Sequence, residues 1–355
     1  MVQTGVGELT LERFPAPATG EDDGLLRVEA CGICGTDVET LGGDFPLAAP
    51  VIPGHEPVGI VERVGPRAAA RWGVESGDRV AVQSDFGCGR CRGCLNGQSC
   101  DVQPGTYGFM PTRARPGLWG GYAEAMYLAP GSVLHKFSAE TPARIAALYN
   151  PLGAGFAWAQ AATGLAYGDT LAVLGPGQRG LACVIAARTC GAGRIFVTGL
   201  GSRDAHKLEL ALELGADVAI DVEREDAVER VRAETAGQGV DAVVDTTPHA
   251  TRPVIESVQI ARPGGTIVLA GIKGRNKVDG FPSDDVAMRY QTIRGVRSVD
   301  YHSFRRAVRL IESGTVPVER LHTHEFPLEQ AARAVRTLSG ETGTGAISIT
   351  IEPGL

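Results

Sequence analysis

The sequence lacks long apolar runs, and it also lacks blocks of basic residues. No uninterrupted apolar stretch is long enough to span a bilayer, so no transmembrane segment is predicted. The chain has 34 lysines and arginines against 41 aspartates and glutamates, a net charge of −7 that argues against nucleic acid or an anionic membrane as partner. The N-terminus has no basic start followed by an apolar core, so we expect no signal peptide and a cytoplasmic protein.

Internal repeats and low-complexity segments are also missing from the sequence. Apolar residues make up 43% of the 355 residues, which is ordinary globular composition, and the length favours two domains over one core. The eight cysteines are expected to be thiols or metal ligands, because a reducing compartment disfavours disulfides.

The pattern of apolar residues changes near residue 150. Before it, short alternating or apolar runs separated by turn residues predict a compact, mostly β domain. After it, strands such as Thr170–Leu174 alternate with helices, which predicts a doubly wound parallel sheet with right-handed crossovers. Beyond about residue 290 we expect two amphipathic helices and a closing strand, Ala346–Ile351, that returns to the first domain.

A glycine-rich loop directly follows the Thr170–Leu174 strand and fits the pattern G-x-G-x-x-G. Its residues are Gly175, Pro176, Gly177, Gln178, Arg179 and Gly180. The three glycines permit a tight turn, close approach of a pyrophosphate, and packing of the next helix against the strand. The loop therefore predicts dinucleotide binding. Thr246 follows a later strand, and we expect it to face the cofactor because the C-terminal ends of parallel strands share one edge of the sheet.

The choice of dinucleotide depends on the end of the second strand, Arg194–Val197. An acid there would bind the ribose 2′-hydroxyl of NAD, but this chain has none at that place. Gly199, Ser202, Arg203 and Lys207 follow instead, and they offer room and positive charge for a 2′-phosphate. The sequence therefore favours NADP over NAD, although Arg203 and Lys207 could simply be solvated residues at the start of a helix.

Four cysteines lie close together at positions 88, 91, 94 and 100. The pattern Cys88-x2-Cys91-x2-Cys94-x5-Cys100 predicts one tetrahedral zinc ion with a structural role, because four thiolates leave no open position for a substrate. An iron–sulfur cluster is the alternative, but the ferredoxin pattern has a shorter last gap and a proline where this chain has Asp101.

A second group of chemically active residues lies between Cys31 and Glu56. It combines a thiolate (Cys34), a hydroxyl (Thr36), two carboxylates (Asp37 and Glu56) and an imidazole (His55). These groups suit a divalent metal beside a hydroxyl that carries a proton. The alternative is that they are ordinary buried residues on turns.

Together these motifs resemble the zinc-containing medium-chain alcohol dehydrogenase/reductase superfamily, and its threonine- and sorbitol-dehydrogenase-like branch in particular. The resemblance covers nearly the whole chain and is carried by the Cys34–Asp37, Gly54–Glu56, Cys88–Cys100, Gly175–Gly180 and His324–Leu328 segments. It implies a GroES-like catalytic domain made of residues 1–150 and 291–355, with a structural zinc lobe at 86–102. It also implies a Rossmann NAD(P)-binding domain at 151–290 and a homodimer or homotetramer.

The resemblance also implies a role for each residue of the first motif. Cys34 and His55 would bind a catalytic zinc ion, and Thr36 would relay the proton of the substrate. Asp37 would orient His55, because a ligating imidazole needs an acceptor for its second nitrogen. Glu56 would be a nearby carboxylate that can approach the metal.

Two residues depart from the pattern of the family. Asn150 stands where relatives supply a third zinc ligand, and an amide oxygen is a weaker donor than a carboxylate or a thiolate. Asn150 could bind zinc, could act through a water molecule while Glu56 takes the position, or could mark a site without metal. Glu39 stands where relatives often have a histidine of the proton relay, and it could carry the proton or be solvated.

We therefore expect an NAD(P)-dependent oxidoreductase that interconverts a secondary alcohol or polyol and its carbonyl compound by zinc-assisted hydride transfer. One alternative is an NADPH-dependent reductase without catalytic zinc, using Thr36, Glu39 or Tyr149 as proton donor. Another is a non-catalytic nucleotide-binding protein of the same fold. The sequence does not identify the substrate beyond a small alcohol or carbonyl compound.

Overall fold

The computed structural model of the chain describes residues 1–45, 47, 50–96, 100–102, 105–343 and 345–355. The chain divides into two compact units, Met1–Asn150 with Val308–Leu355, and Pro151–Ala307. Part of the expected zinc lobe, residues 97–99, lies outside the described residues. Among the helices that the structure describes, none combines the length and the apolar character needed to cross a membrane.

The described residues form strands and helices along the whole chain. The strands are β1 (Val2–Gly5), β2 (Glu8–Thr10), β3 (Gly24–Gly32), β4 (Glu56–Val64), β5 (Arg79–Val82), β6 (Asp85–Phe86), β7 (Gly105–Thr106), β8 (Ala125–Leu128), β9 (Leu134–Phe137), β10 (Thr170–Leu174), β11 (Arg194–Gly199), β12 (Val218–Asp221), β13 (Val240–Asp245), β14 (Ala261–Leu269), β15 (Thr292–Gly295), β16 (His322–Pro327) and β17 (Ser348–Glu352). The α-helices are α1 (Gly35–Gly42), α2 (Pro66–Trp72), α3 (Arg92–Leu95), α4 (Ala143–Ala146), α5 (Tyr149–Gly155), α6 (Gln178–Thr189), α7 (Gly201–Glu213), α8 (Ala227–Glu234), α9 (Arg252–Ile260), α10 (Ser283–Met288), α11 (Tyr301–Ser313) and α12 (Ala331–Ser339). A π-helical segment spans Phe156–Ala162, and 3-10 turns span Val318–Leu321 and Leu328–Gln330.

The first unit is built on a seven-stranded sheet in the order β16-β17-β3-β4-β5-β9, with β8 paired to β3. The closing strand β17 runs antiparallel to β3, with Thr350 opposite Gly32 and Ile351 opposite Cys31. The amide of Ile33 also donates a hydrogen bond of 3.0 Å to the carbonyl oxygen of Ile349. The end of the chain thus holds the end of β3 in place, directly before the first candidate metal ligand.

The second unit contains a six-stranded parallel sheet in the order β12-β11-β10-β13-β14-β15. Numbered within the unit, this order is 3-2-1-4-5-6, which is the order of a dinucleotide-binding fold. The expected fold class, a mostly β domain with a doubly wound parallel sheet, is confirmed. The central strands are buried on both faces because helices cover the sheet, which explains their nearly continuous apolar sequences.

The sixth strand of this sheet, β15, is not among the strands expected from the sequence. It pairs with β14 at the edge of the sheet, and most of its residues are exposed. Its sequence therefore lacks the apolar run that reveals the inner strands. Strand β15 belongs to this sheet, and residues 291–307 group with the second unit, whereas they were expected in the first domain.

Candidate metal and cofactor sites

Three potential metal ligands meet in the first unit. The Sγ of Cys34, a ring nitrogen of His55 and a carboxylate oxygen of Glu56 all lie within 4.8 Å of one another, and all three residues are buried. Cys34 precedes α1 at the end of β3, and Glu56 begins β4 opposite Gly32. A Cβ atom on Gly32 would lie 2.6 Å from Oε2 of Glu56, so a glycine there leaves room for the carboxylate.

Asp37 connects two of these residues. Its Oδ2 accepts a 2.9 Å hydrogen bond from the amide of Cys34, which fixes the start of α1. Its Oδ1 lies 3.6 Å from Nδ1 of His55, while Nε2 of the same ring lies 4.0 Å from Oε1 of Glu56. One nitrogen of the imidazole therefore faces Asp37 and the other faces the remaining donors, as in a histidine that binds metal.

Negative charge is concentrated at this place. Burial opposes protonation of His55, but Asp37 and Cys34 outweigh it and hold the pKa of the imidazole well above its ordinary 6.5. Burial, and then the charge of Asp37, raise the pKa of the neighbouring Cys31 thiol well above 9.0. A buried thiolate, imidazole and carboxylate around one point are a donor set that fits zinc, because a cation would offset the buried negative charge.

The other residues expected at this site lie in the same unit. The hydroxyl of Thr36 is 3.6 Å from Sγ of Cys34, and Glu39 is half-buried on α1. Asn150 is buried in the first turn of α5. The roles expected for these three residues remain predictions. Tyr149 is fully buried and donates its hydroxyl proton to the carbonyl oxygen of Val82 at 2.5 Å, which disfavours it as a proton donor to substrate.

The four cysteines of the expected structural zinc site also come together. The Sγ atoms of Cys88, Cys91, Cys94 and Cys100 lie within 4.8 Å of one another, and those of Cys91 and Cys100 are 3.7 Å apart. Sulfurs bound tetrahedrally to one zinc ion are about 3.8 Å apart, since each Zn–S bond is about 2.3 Å. The spacing therefore fits zinc.

Backbone amides support this cysteine cluster. The amides of Cys94 and Asp101 donate to Sγ of Cys91 at 3.4 and 3.3 Å, and the amide of Cys88 donates to Sγ of Cys100 at 3.3 Å. The bond from Cys94 is the main reason that the pKa of Cys91 is lowered. Donors of this kind favour thiolates over thiols, which is the protonation state that zinc requires.

The glycine-rich loop has the geometry of a phosphate-binding turn. Gly175 follows β10 with a φ of +97°, and the hydroxyl of Thr246 donates to its carbonyl oxygen at 3.0 Å. A Cβ atom on Gly180 would lie 1.9 Å from the carbonyl oxygen of Gly175, whereas one on Gly177 would meet nothing within 4 Å. The open side at Gly177 is the side from which a pyrophosphate can approach the start of α6.

The other three residues of the loop pack against their surroundings. Gln178 is buried, and the guanidinium of Arg179 lies 5.5 Å from the ring centroid of Trp158. Pro176 is buried next to Gly199, where a Cβ atom would lie 2.8 Å from Cγ of the proline. The expected cofactor residues at the ends of β10 and β11 thus adjoin one another in the structure.

Two of the residues expected near a 2′-phosphate, Ser202 and Lys207, have hydrogen-bond or ion-pair partners. Ser202 donates from both its amide and its hydroxyl to Glu223, and Nζ of Lys207 lies 3.1 Å from Oδ1 of Asp204. Arg203 is exposed. Glu223 and Asp221 were not predicted to lie here; Oδ1 of Asp221 accepts a 2.8 Å hydrogen bond from the amide of Gly201. Asp221 is the last residue of β12 and Glu223 follows it, and β12 pairs with β11.

Comparisons with known proteins identify the family. Residues 20–138 match the family described as alcohol dehydrogenase GroES-like domain, and residues 180–313 match the family described as zinc-binding dehydrogenase. A Mycobacterium tuberculosis protein named "Probable alcohol dehydrogenase adh" is 42% identical over 339 residues, covering 94% of this chain and 92% of that protein. Sorbitol dehydrogenase of Bacillus subtilis is 32% identical over 344 residues, covering 92% of this chain and 90% of that enzyme.

A solved structure agrees with these relatives. The crystal structure of a protein from Sinorhizobium meliloti, described as a zinc-binding dehydrogenase bound to NADP, matches with a TM-score of 0.86 at 28% identity. The match covers 98% of this chain and 97% of that one. With its two compact units, its 3-2-1-4-5-6 sheet and its relatives, this chain belongs to the zinc-containing medium-chain alcohol dehydrogenase superfamily and is an oxidoreductase of that family.

Proposed function

We propose that this protein interconverts a secondary alcohol or polyol and the matching carbonyl compound by hydride transfer with a nicotinamide dinucleotide, assisted by zinc. The observation that carries this proposal is the cluster of buried Cys34, His55 and Glu56 donors within 4.8 Å of one another. The sorbitol dehydrogenase relative supports the class of substrate, and the NADP-bound Sinorhizobium protein supports the class of cofactor.

The donors of the first unit have distinct tasks in this mechanism. Cys34, His55 and Glu56 would hold the zinc ion, which when bound would supply Lewis acidity to polarise a carbonyl oxygen or lower the pKa of an alcohol. Asp37 orients His55 by facing its Nδ1 and holds Cys34 through the amide of that residue. Glu56 is the charged third ligand, and Asn150 offers a weaker, neutral amide oxygen.

Thr36 and Glu39 transfer the proton that the substrate gains or loses. Thr36 lies 3.6 Å from the thiol of Cys34, and its hydroxyl holds the proton that the substrate gains or loses. A hydroxyl suits this task because it can donate and accept at the same atom. Glu39, on the same helix, accepts this proton and passes it on, in place of the histidine that relatives often have at this position.

The second unit binds the dinucleotide, and the first is the catalytic unit. Gly175, Gly177 and Gly180 shape the turn for the pyrophosphate, and the N-terminus of α6 faces it with its partial positive charge. Thr246 holds the turn closed through its hydrogen bond to Gly175. Cys88, Cys91, Cys94 and Cys100 would hold a structural zinc ion that stabilises the first unit, and four thiolates would leave it no open position for substrate.

Zinc content per chain tests the proposal. The purified protein is expected to contain two equivalents, and Cys34→Ser or His55→Ala to contain one. Cys190→Ser is the matched control, because it removes a half-buried thiol of the other unit and should keep both equivalents. Oxidation of sorbitol, erythritol and simple secondary alcohols, followed by the absorbance of the reduced cofactor, should be lost with the catalytic zinc. One equivalent in the parent protein would contradict a catalytic zinc site.

A further inference from the structure

A buried ion pair joins the ends of two neighbouring strands of the parallel sheet. Asp245 is the last residue of β13 and has no exposed surface. Nζ of Lys273, four residues beyond β14, lies 2.7 Å from Oδ2 of Asp245, and the lysine side chain is only 13% exposed. Because β13 and β14 run parallel with Asp245 opposite Leu269, the pair lies at the C-terminal edge of the sheet. This is the edge at which a fold of this topology binds its ligand.

Stability alone does not account for this pair. The attraction between two buried charges often does no more than offset the cost of removing them from water, so a well-packed apolar pair would be at least as stable. The remaining donors and acceptors of the pair all act on one residue, Thr247. Nζ of Lys273 donates to O and Oγ1 of Thr247 at 2.5 and 2.9 Å. Oδ1 of Asp245 accepts from the amide and the hydroxyl of Thr247 at 2.9 and 2.5 Å.

Thr247 in turn lies against the glycine-rich turn. A Cβ atom on Gly175 would lie 2.8 Å from Cγ2 of Thr247, and the hydroxyl of the preceding Thr246 donates to the carbonyl oxygen of Gly175 at 3.0 Å. The ion pair therefore fixes the side chain that borders the turn where the strand order of the sheet reverses, between β10 and β13.

Main-chain hydrogen bonds join the segments that follow β13 and β14. The amides of Ala270 and Gly271 donate to the carbonyl oxygen of Asp245 at 2.9 and 2.8 Å, and the amide of His249 donates to that of Ile272 at 3.0 Å. His249 has a φ of +60°, which is strained for a residue other than glycine. Strained backbone persists where its surroundings hold it in place, and such places cluster at ligand sites.

We infer that Lys273 and Asp245 are positioning residues: through Thr247 they hold the segments after β13 and β14 in the conformation that receives the nicotinamide half of the dinucleotide. The inference rests on the proposed function, because it requires dinucleotide binding by the second unit. In this topology the pyrophosphate lies at the turn after the first strand, and the adenosine ribose lies at the end of the second. The strands on the other side of the reversal, β13 and β14, remain for the nicotinamide half.

The experiment compares each reduced dinucleotide with the fragment that lacks nicotinamide, which is ADP-ribose for NADH and 2′-phospho-ADP-ribose for NADPH. Lys273→Met removes the ammonium group and leaves Asp245 without its cation. We expect this variant of the full-length protein to bind the dinucleotide at least about tenfold more weakly, with less than about a threefold change for the fragment, because segments that must be ordered on binding lower the affinity. Isothermal titration calorimetry measures both affinities.

A double variant separates positioning from stability. Lys273→Met alone should lower the midpoint of thermal unfolding by about 6 °C or more, because a buried carboxylate without its cation is strongly destabilising. Asp245→Asn combined with Lys273→Met removes that charge and retains an oxygen that accepts from Thr247. Most of the lost stability should therefore return, whereas binding of the dinucleotide should stay weak.

Arg262→Met is the matched control. Arg262 pairs with Asp241 at 2.7 Å and joins the same two strands at their opposite ends, so its loss should leave both affinities unchanged. A loss confined to the dinucleotide that persists in the double variant supports the inference. Equal losses for dinucleotide and fragment, or dinucleotide binding that recovers with stability, would overturn the positioning role and leave the oxidoreductase function standing. Binding of neither dinucleotide by the parent would overturn both.

Discussion

Asp37 shows how much a single residue contributes to the candidate zinc site without being one of the three clustered donors. Its two carboxylate oxygens face different partners, the amide of Cys34 and the imidazole of His55. The resemblance to the family predicted the second contact. The first contact is a helix-capping interaction at α1, and it ties the thiolate to the same carboxylate.

We predict that Asp37→Asn weakens zinc binding at the catalytic site about 10- to 100-fold, which is the usual cost of losing the acceptor behind a ligating histidine. The amide of asparagine retains an oxygen for Cys34 but loses the negative charge that faces His55. Competition with a chromophoric chelator measures the affinity.

Asp44→Asn is the control for this prediction, because Asp44 is an exposed residue just beyond α1. It should leave zinc affinity unchanged. Equal zinc affinities for Asp37→Asn and the parent would show that Asp37 does not support His55.

The element with the clearest local determinants is the turn between β10 and α6. Gly180 and Gly177 belong to the same motif but face different surroundings. A side chain at Gly180 would meet the backbone oxygen of Gly175 at 1.9 Å, whereas Gly177, with a φ of −69°, has open space at its Cβ position. Packing therefore requires a glycine at position 180, and the approach of a ligand requires a glycine at position 177.

We predict that alanine at Gly180 lowers the stability of the second unit, whereas alanine at Gly177 weakens binding of the dinucleotide. Gly180→Ala should destabilise the second unit by about 1–3 kcal/mol or more, as overpacking does, and lower the midpoint of thermal unfolding. Gly177→Ala should leave that midpoint nearly unchanged but weaken NADH binding at least about tenfold, because its methyl group stands where the pyrophosphate approaches.

Circular dichroism on heating and NADH titration measure the two properties separately. A Gly177→Ala protein that binds NADH as tightly as the parent would contradict the assignment of this turn to the pyrophosphate. A Gly180→Ala protein with unchanged stability would show that the turn can relax.

In the whole molecule, both ends of the chain contribute to the first unit. The strand order β16-β17-β3 places residues near the C-terminus beside residues that precede Cys34. The side chains of β17 from Ser348 to Ile351 are buried, so the strand belongs to the core of this unit. Strand β17 therefore packs beside the end of β3, directly before Cys34.

We predict that deletion of residues 348–355 abolishes zinc binding at Cys34 and His55, because β3 loses its neighbour at Cys31 and Gly32. Deletion of only the exposed residues 354 and 355 is the control and should keep two zinc equivalents. Zinc analysis combined with limited proteolysis of the first unit measures the effect. Full zinc content in the longer deletion would show that β17 is dispensable for the site.

The sequence by itself determined the parts of this protein whose residues are close together in the chain. The cysteine cluster and the glycine-rich loop could be predicted, since spacing within about a dozen residues already constrains the geometry. The strand Thr170–Leu174 was predicted with the bounds that the structure shows, because buried parallel strands have continuous apolar sequences.

Only the tertiary structure decided which distant residues meet. Pairing of β3 with β4 puts Glu56 opposite Gly32 and beside Cys34, and pairing of β11 with β12 puts Asp221 at the start of α7. Edge strand β15 was missed because its exposed residues carry no apolar pattern. Strand register is a property of two segments at once, so these contacts became visible only when the sheets were assembled.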